Sequence, residues 1–491
     1  MSKMNSDKKT RRKFLKESAA LALTTMAFPA WKNEALAFSV FQAMGTRVGE
    51  VTDTTAIIWT RLTAKKERNN KGLVIPGRAQ DYKNNQLPEP KVPTDELEGA
   101  CQGISGFVRI HYGTEESLGN AKRSDWVGVS EKTDFIHHFH LKNLQSNATY
   151  FYESEVSDHK NETESFKIKG KFQTAPAQNA VSDIRFCLMT CQGYPDRGHP
   201  DGHHIYPAML ALKPHFACLT GDLVYYDNDM PRANNARLAR YHWERMFSLP
   251  RLVDFNKNVN TYWLKDDHDT LDNDSSPGAN MGELSFTEGQ HIFRQQAPIS
   301  DGLSYRTFRW GKDLQIWLTD GRDFRSNNDM PDGPEKTIWG AEQKAWFKKT
   351  VKESTATWKI LVSPTPLVGP DRVQKNDNHS NPGFKYEGDE IRSWIKENVP
   401  DHFFIICGDR HWQYHSVQPE TGLNEFSIGA ASDEHAGGTP GENKDYHQFH
   451  LVKGGFMSVD VNRLKNKGRI SFQHHDIYGA VVYTWEKERN I

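Results

Sequence analysis

Four short segments of this sequence carry side chains that could bind metal ions. They are Thr190–Gln192 with Cys191, Gly221–Tyr225 with Asp222 and Tyr225, Asp266–Asp269 with Asp267, and Gly408–His411 with Asp409 and His411. Each segment directly follows an apolar run of strand length, and polar residues at the carboxyl ends of neighbouring strands gather at one edge of a sheet. One Gly-Asp pair after a strand would indicate only a turn. Four such segments in series predict a shared metal site.

The residue types indicate which cations this site would bind. A carboxylate such as Asp222 can bridge two cations, because its two oxygens can bind different ions. A thiolate from Cys191 and a phenolate from Tyr225 suit a trivalent or redox-capable iron better than magnesium or calcium. The carboxylates of Asp267 and Asp409 prefer a harder cation such as calcium. Two such cations would polarise a phosphate and lower the pKa of a bound water, which predicts phosphate-ester hydrolysis by metal-bound hydroxide.

Further polar residues are candidates for substrate contacts. Arg322 could hold two phosphate oxygens at once, although a structural ion pair with a nearby aspartate explains it equally well. Asn378 and His379 lie in a long polar loop and could supply a further ligand or a substrate contact, or could be solvated there. Asp433 and His435 follow the strand near Ile428 and are weaker candidates.

The segments that must position these residues alternate between strands and helices. From residue 180 onward, apolar strand-like runs occur at 185–190, 216–220, 261–264, 314–319, 358–362 and 403–407. Helical patterns between them cover 203–212, 233–247, 341–351 and 389–397. This alternation predicts an α/β fold, in which polar sites form at the carboxyl ends of the strands.

The region before residue 178 has a different pattern. From 39 to 175 short strands alternate with turns, and Leu144 and Tyr150 flank a polar turn like the tyrosine corner of a fibronectin-like sandwich. The segment 64–103 is polar and rich in Lys, Asn and Pro, which predicts a long insertion loop. We therefore predict an N-terminal β-sandwich domain without catalytic residues.

The first 37 residues have the features of an export signal. Lys and Arg residues precede an apolar stretch from 19 to 30, which is too short to span a bilayer permanently. Small residues at Ala35–Ala37 favour cleavage after Ala37. Within the basic part, Thr10–Lys16 resembles a twin-arginine signal, so the twin-arginine translocase is the expected export partner and the periplasm or the exterior the expected location.

Composition and cysteine content limit the other possibilities. The chain has 491 residues with 36% hydrophobic and 25% charged residues, as expected for a soluble globular protein of more than one domain. A net charge of −1 gives no indication of nucleic-acid binding. Five cysteines without paired spacing do not predict a disulfide framework. We also expect a monomer without a stable membrane anchor.

The motifs together resemble those of one known family. Cys191-Gln192, Gly221-Asp222 with Tyr225, Asp266-Asp267-His268 and Gly408-Asp409 with His411 occur in the order found in the alkaline phosphatase D (PhoD-like) family of calcineurin-type metallophosphoesterases. Residues 318–326, which include Arg322, resemble a further arginine-containing stretch of that family. Asp269 departs from the family pattern, which usually has Glu at this position. This departure affects the expectation about the substrate more than the expectation about the metal site.

This resemblance implies a fold, a cofactor set and residue roles. The fold would be an α/β (α+β) four-layer metallophosphoesterase sandwich, with residues 1–37 as signal, 38–178 as β-sandwich and 179–491 as catalytic domain. Fe³⁺ would be held by Cys191, Asp222, Tyr225 and His411, and one or two Ca²⁺ by Asp222, Asp267 and Asp409, other divalent metals being possible. The catalytic residues would be Asp222, His268 and Arg322. His268 would protonate the leaving alkoxide or contact phosphate.

Several functions remain compatible with this reading. The expected substrate is a small-molecule or polymeric phosphate ester, either a monoester or a diester. One alternative is a secreted phosphodiesterase specific for teichoic-acid-like, phospholipid or nucleotide diesters. Another is a binding protein in which the metals are only structural.

Overall fold

The computed structural model describes residues 39–82, 87–160 and 165–491. The predicted signal segment lies outside these residues. Within them, no helix has the length and apolar character needed to cross a membrane.

Strands and helices alternate along the second part of the chain as predicted. The strands, in chain order, are β1 (Thr46–Gly49), β2 (Ala56–Arg61), β3 (Gly106–Gly113), β4 (Lys122–Arg123), β5 (Val127–Val129), β6 (Ile136–Leu141), β7 (Thr149–Ser157), β8 (Phe166–Gln173), β9 (Ile184–Met189), β10 (Phe216–Thr220), β11 (Asn260–Leu264), β12 (Asn280–Met281), β13 (Leu284–Ser285), β14 (Arg306–Trp310), β15 (Leu314–Leu318), β16 (Trp358–Ser363), β17 (Phe403–Cys407), β18 (Gln413–Val417), β19 (Asn424–Ser427), β20 (His447–Leu451), β21 (Phe456–Leu464), β22 (Lys467–His475) and β23 (Val481–Asn490). The α-helices are α1 (Ile205–Ala211), α2 (Ala236–Phe247), α3 (Pro250–Asn258), α4 (Phe286–Gln296), α5 (Gly340–Glu353) and α6 (Lys385–Asn398).

Local sequence explains where several helices begin. Asn235 precedes α2 and its side chain accepts a hydrogen bond from the backbone N–H of Leu238, which satisfies a donor in the first turn. Ser285 caps α4 in the same way. Pro250 occupies the first turn of α3, where its missing N–H costs nothing. The helical patterns identified in the sequence did not include α3 and α4.

Two large sheets form the centre of the fold. Sheet A has the strand order β23-β22-β21-β9-β10-β11-β1-β2-β6, and sheet B has the order β14-β15-β16-β17-β19-β18-β20. In sheet A, β9, β10 and β11 are parallel neighbours. In sheet B, β15, β16, β17 and β19 are parallel in succession. The carboxyl ends of these strands therefore share one edge in each sheet.

The two sheets pack face to face between two layers of helices. Apolar side chains such as Phe216 from β10 and Ile406 from β17 fill the space between the sheets. The outer face of sheet A packs against α1 to α4, and the outer face of sheet B packs against α5 and α6. Strands β10, β11, β16 and β17 are buried throughout, which explains their continuous apolar sequence. The four-layer α/β sandwich predicted from the sequence is confirmed.

The N-terminal region forms a β-sandwich that is joined to sheet A. Strands β4, β3, β7 and β8, with β5 beside β3, form sheet C, whose apolar face packs on β1, β2 and β6. The tyrosine corner is present, since the backbone N–H of Gln145 donates to Tyr150 Oη at 2.8 Å. Strand β1 also pairs in parallel with β11, with Val48 opposite Asn260. Sheet A thus contains strands from both sides of the predicted domain boundary at 178. The sequence did not predict this pairing, because two segments so distant in the chain leave no local pattern.

Candidate metal centre

Three of the predicted ligands lie in turns with an unusual backbone conformation. Cys191 follows β9, Asp222 follows β10 and Asp409 follows β17, and their φ angles are 52°, 55° and 61°. Non-glycine residues rarely adopt the left-handed region, and such residues concentrate at functional sites. The sharp turns bring side chains from the ends of sheets A and B to one place.

Three groups of potential ligand atoms meet there, with the atoms of each group within 4.8 Å of one another. The groups are Cys191, Asp222 and His411; Asp222, Asp267 and His268; and Asp222, Asp266 and Asp409. Asp222 belongs to all three, as expected for a carboxylate that bridges cations. The structure therefore brings the predicted ligands together from four separate loops.

The surroundings of Asp222 test whether this cluster suits a cation. One carboxylate oxygen, Oδ2, accepts hydrogen bonds from Cys191 Sγ at 3.4 Å and from Tyr225 Oη at 3.2 Å. The other, Oδ1, is buried and has no hydrogen-bond partner among the described residues. Burial, and then the nearby Asp267, raise the pKa of Asp222 well above its usual range. A buried carboxylate oxygen without a partner is unfavourable, and a bound cation would satisfy it, so these residues fit a metal site.

Arg322 lies behind the acidic side of the cluster. Its guanidinium is fully buried, its Nε donates to Asp266 Oδ1 at 2.5 Å, and its Nη2 lies 3.4 Å from Asp267 Oδ2. Burial alone would raise the pKa of Asp267, but the positive charge of Arg322 lowers it well below its usual range. The ion-pair alternative therefore describes Arg322 in this structure, and its predicted contact with substrate stays a prediction.

His268 lies at the more open side of the cluster. Its side chain is 15% exposed, and its Nδ1 lies 2.7 Å from Asp227 Oδ1. Its ring packs against the ring of Tyr225, with centroids 4.5 Å apart. Burial would lower the pKa of His268, but Asp227 and the cluster carboxylates raise it well above its usual range. A protonated imidazole in this position is suited to general-acid chemistry.

Asp269 connects two of the ligand loops. Its Oδ1 accepts from the backbone N–H of Asp266 at 2.7 Å, and its Oδ2 accepts from the backbone N–H of Leu223 at 3.1 Å. Burial raises the pKa of Asp269 to about 7. The carboxyl group thus fixes the loop after β11 against the loop after β10, which the sequence motif alone did not indicate.

Arg410 supports the fourth loop. Its guanidinium is fully buried and pairs with Asp371 at 2.9 Å, with Asp377 at 3.4 Å and with the adjacent Asp409. Asn378 in turn donates to Asp371 Oδ2 at 3.0 Å and to Asp377 Oδ1 at 2.8 Å. Asn378 is therefore engaged in holding the partners of Arg410.

His379 is enclosed by the protein, unlike a solvated histidine of a surface loop. Its side chain is buried, and its Nε2 lies 2.9 Å from Glu387 Oε2 on α6. The polar side chains at 377–379 are enclosed rather than solvated, although 373, 374 and 376 of the same loop are exposed. The structure places neither Asn378 nor His379 in the three ligand groups, and substrate contact by them stays a prediction.

Two further residues complete the polar cluster. His435 Nε2 lies 2.9 Å from Tyr225 Oη, and the His435 ring packs against the His411 ring with centroids 4.4 Å apart. Asp227, the partner of His268, lies two residues after Tyr225. His435 had a weak signal as a polar residue after a strand, whereas nothing in the sequence distinguished Asp227 from other loop aspartates.

Comparison with known proteins agrees with this arrangement. A family model described as PhoD-like phosphatase matches residues 186–487, and one for the N-terminal domain of PhoD-like phosphatases matches residues 30–176. No curated protein matches the sequence.

Solved structures show the same fold. A structure described as PhoD has a TM-score of 0.67 at 16% identity, covering 91% of this chain and 89% of that chain. A purple acid phosphatase, PPD1 from yellow lupin (Lupinus luteus) seeds, has a TM-score of 0.60 at 11% identity, covering 91% of this chain and 74% of its own. With the metal-ligand cluster and the family models together, the chain belongs to the PhoD-like phosphatase family.

Proposed function

We propose that this metal-dependent phosphatase is exported and hydrolyses phosphate monoesters, diesters or both, with Fe³⁺ and Ca²⁺ as its metals. The observation that carries the proposal is Asp222, which three ligand groups share and which retains a buried oxygen without a partner. Under this proposal Cys191, Asp222, Tyr225 and His411 hold the iron. Asp222, Asp267 and Asp409 would hold calcium, and the carboxylate of Asp266 lies in one ligand group with those of Asp222 and Asp409.

The bound cations would supply Lewis-acid polarisation of the phosphoryl oxygens. The protein's own residues would carry out the remaining work. A water oxygen forms the new bond to phosphorus while the ester P–O bond breaks, and the leaving alkoxide takes a proton from His268. A proton released by the attacking water then returns to His268 through solvent, so that the step is balanced. Asp227 contacts His268 Nδ1 and so keeps the imidazole oriented and charged. Arg322 pairs with Asp266 and Asp267 and holds them in place, and against the effect of burial its positive charge keeps the pKa of Asp267 well below its usual range.

Asp222→Asn tests the catalytic proposal, because it removes the shared charge with little change in shape. We expect hydrolysis of nitrophenyl phosphate and of its bis ester to fall by roughly 100-fold or more, with a loss of bound metal by elemental analysis. Asp460→Asn is the matched control. Asp460 lies on β21 of sheet A, the sheet whose strand β10 leads into Asp222, but it pairs with Arg185 away from the cluster. Full hydrolysis by Asp222→Asn would overturn the proposed role of Asp222, whereas a metal-loaded wild type without hydrolysis would favour a binding protein with structural metals.

Separate measurements address the finer parts of the proposal. The ratio of rates on the two nitrophenyl esters distinguishes a monoesterase from a diesterase. A visible charge-transfer band from thiolate or phenolate ligands is expected for iron, and zinc alone without a band would contradict it. Replacing Arg11 and Arg12 by lysine should keep the enzyme inside the cell, and unchanged export would contradict the twin-arginine assignment.

A further inference from the structure

The insertion 64–103 of the N-terminal region reaches the metal centre through Arg78. The Arg78 guanidinium forms an ion pair with Asp196, and its Nη2 lies 2.5 Å from His435 Nδ1. Asp196 belongs to the loop after β9, and His435 to the loop after β19. The side chains of Arg78 and Asp196 are only 17% and 15% exposed, and that of His435 is 2% exposed. These contacts come from a segment whose sequence carried no catalytic pattern.

The backbone on both sides of Arg78 is attached to the loop that carries Tyr225. The N–H of Ala79 donates to the carbonyl of Asn228 at 2.7 Å, and the N–H of Met230 donates to the carbonyl of Gly77 at 3.3 Å. The same loop is closed by the N–H of Asp229, which donates to the carbonyl of Tyr225. Arg78 is therefore held at a fixed place relative to Tyr225 rather than lying on a free surface loop.

The contacts of His435 decide which of its nitrogens carries the proton. A guanidinium has only donors, so Arg78 requires a lone pair on His435 Nδ1. The proton of the neutral ring then lies on Nε2, which is 2.9 Å from Tyr225 Oη and donates to it. An N–H donor suits Tyr225 as a phenolate, the form that binds a metal. Asp196, 2.8 Å from Nδ1, favours the other tautomer, but its charge is already paired with Arg78.

We propose that Arg78 is a positioning residue for the metal ligand Tyr225 and acts through His435. The N-terminal region then completes the active site instead of only packing beside it. The inference rests on the proposed function in one respect, namely that Tyr225 binds a metal.

Arg78→Met tests the inference in the full-length enzyme loaded with its metals. We expect metal loss to EDTA, followed by elemental analysis, to become about 10- to 100-fold faster, with kcat reduced and KM nearly unchanged. Arg78→Lys retains a charged donor and should restore part of the metal retention. Arg109→Met is the matched control, because Arg109 lies in the same N-terminal region and pairs with Glu155 away from the centre. It should retain metal like the wild type.

A double-mutant cycle separates action through His435 from a general loss of packing. If Arg78 acts through His435, Arg78→Met should have little further effect on metal loss in a His435→Ala background. Additive effects, or an Arg78→Met enzyme that keeps its metal as well as Arg109→Met, would overturn the inference. Where Arg78→Met does not fold, the same cycle is read with Arg78→Lys. A wild type without metal and without hydrolysis would overturn the proposed function as well, which distinguishes the two failures.

Discussion

Replacing Arg322 by methionine tests the electrostatic account of the metal centre. The change removes a fully buried guanidinium and leaves the carboxylates of Asp266 and Asp267 without their cation. Loss of one partner of a buried ion pair costs about 3–5 kcal/mol. Unfolding the unit Ser39–Ile491, about 450 residues, at roughly 2.1 cal/mol/K per residue changes the entropy by nearly 1 kcal/mol per degree. The midpoint of thermal unfolding should therefore fall by about 3–5 °C in the metal-free protein.

Metal ions should reduce this loss. Cations bound by the same carboxylates supply positive charge in place of the guanidinium, so the destabilisation of Arg322→Met should be smaller in the metal-loaded protein. By linkage, metal binding should then raise the unfolding midpoint of the variant more than that of the wild type.

Arg61→Met provides the matched control. Arg61 is equally buried and pairs with Asp134 at 3.0 Å and Glu244 at 3.2 Å, which belong to none of the three ligand groups. Its removal should lower the midpoint by a similar amount whether or not metal is bound. The assay is calorimetry of chelator-treated and metal-reconstituted protein for wild type and both variants. Equal losses in the two metal states for Arg322→Met would refute the electrostatic reasoning.

Three further predictions concern residues around the site and the N-terminal region. Burial would raise the pKa of Glu387, but hydrogen bonds led by that from His379 lower it from 4.5 to about 2. Glu387→Gln should therefore cost about 3 kcal/mol in denaturant unfolding at pH 7, and the difference from wild type should shrink as pH falls from 4.5 towards 2. Gly289→Ala would place a methyl group 1.7 Å from the carbonyl oxygen of Thr270, so α4 should shift and stability fall by about 1–3 kcal/mol with reduced kcat. Tyr150→Phe removes the buried acceptor of the tyrosine corner and should cost about 1–3 kcal/mol in unfolding, with unchanged kcat.

Each of these has an outcome that would contradict it. A difference between Glu387→Gln and wild type that stays constant down to pH 3 would show that the charge of Glu387 is not responsible. A Gly289→Ala enzyme with wild-type stability would show that α4 does not press on the loop after β11. A large fall in kcat for Tyr150→Phe would mean that the corner influences the active site.

The metal-ligand loops could be predicted because each follows a strand that is buried on both faces. Such strands appear as continuous apolar runs, and the first polar residues after them lie at the sheet edge, as Cys191, Asp222 and Asp409 do. Strand β10 begins and ends where the sequence indicated. The same alternation of runs predicts the α/β fold, whereas the four-layer sandwich is implied by the resemblance to the PhoD-like family.

The supporting residues could not be predicted, because their roles depend on turns and on distant pairings. Which of the aspartates at 266, 267 and 269 faces the cluster is decided by the backbone of one tight loop, and Asp269 points into backbone N–H groups instead. Arg78 lies in a polar insertion without periodicity, so its contact with His435 exists only in the folded chain. The enclosure of His379 likewise depends on α6.

The pairing of β1 with β11 has a consequence for synthesis of the protein. Val48 cannot meet Asn260 until more than half of the chain has left the ribosome, and β9 obtains its outer neighbour only when β21, at Phe456–Leu464, has been made. Pairings so distant in the chain form slowly, and an unpaired strand edge can associate with other chains. The N-terminal β-sandwich, although made first, shares its sheet with strands made later. Folding of this enzyme should therefore be completed after translation, with the nascent chain dependent on protection of its open sheet until then.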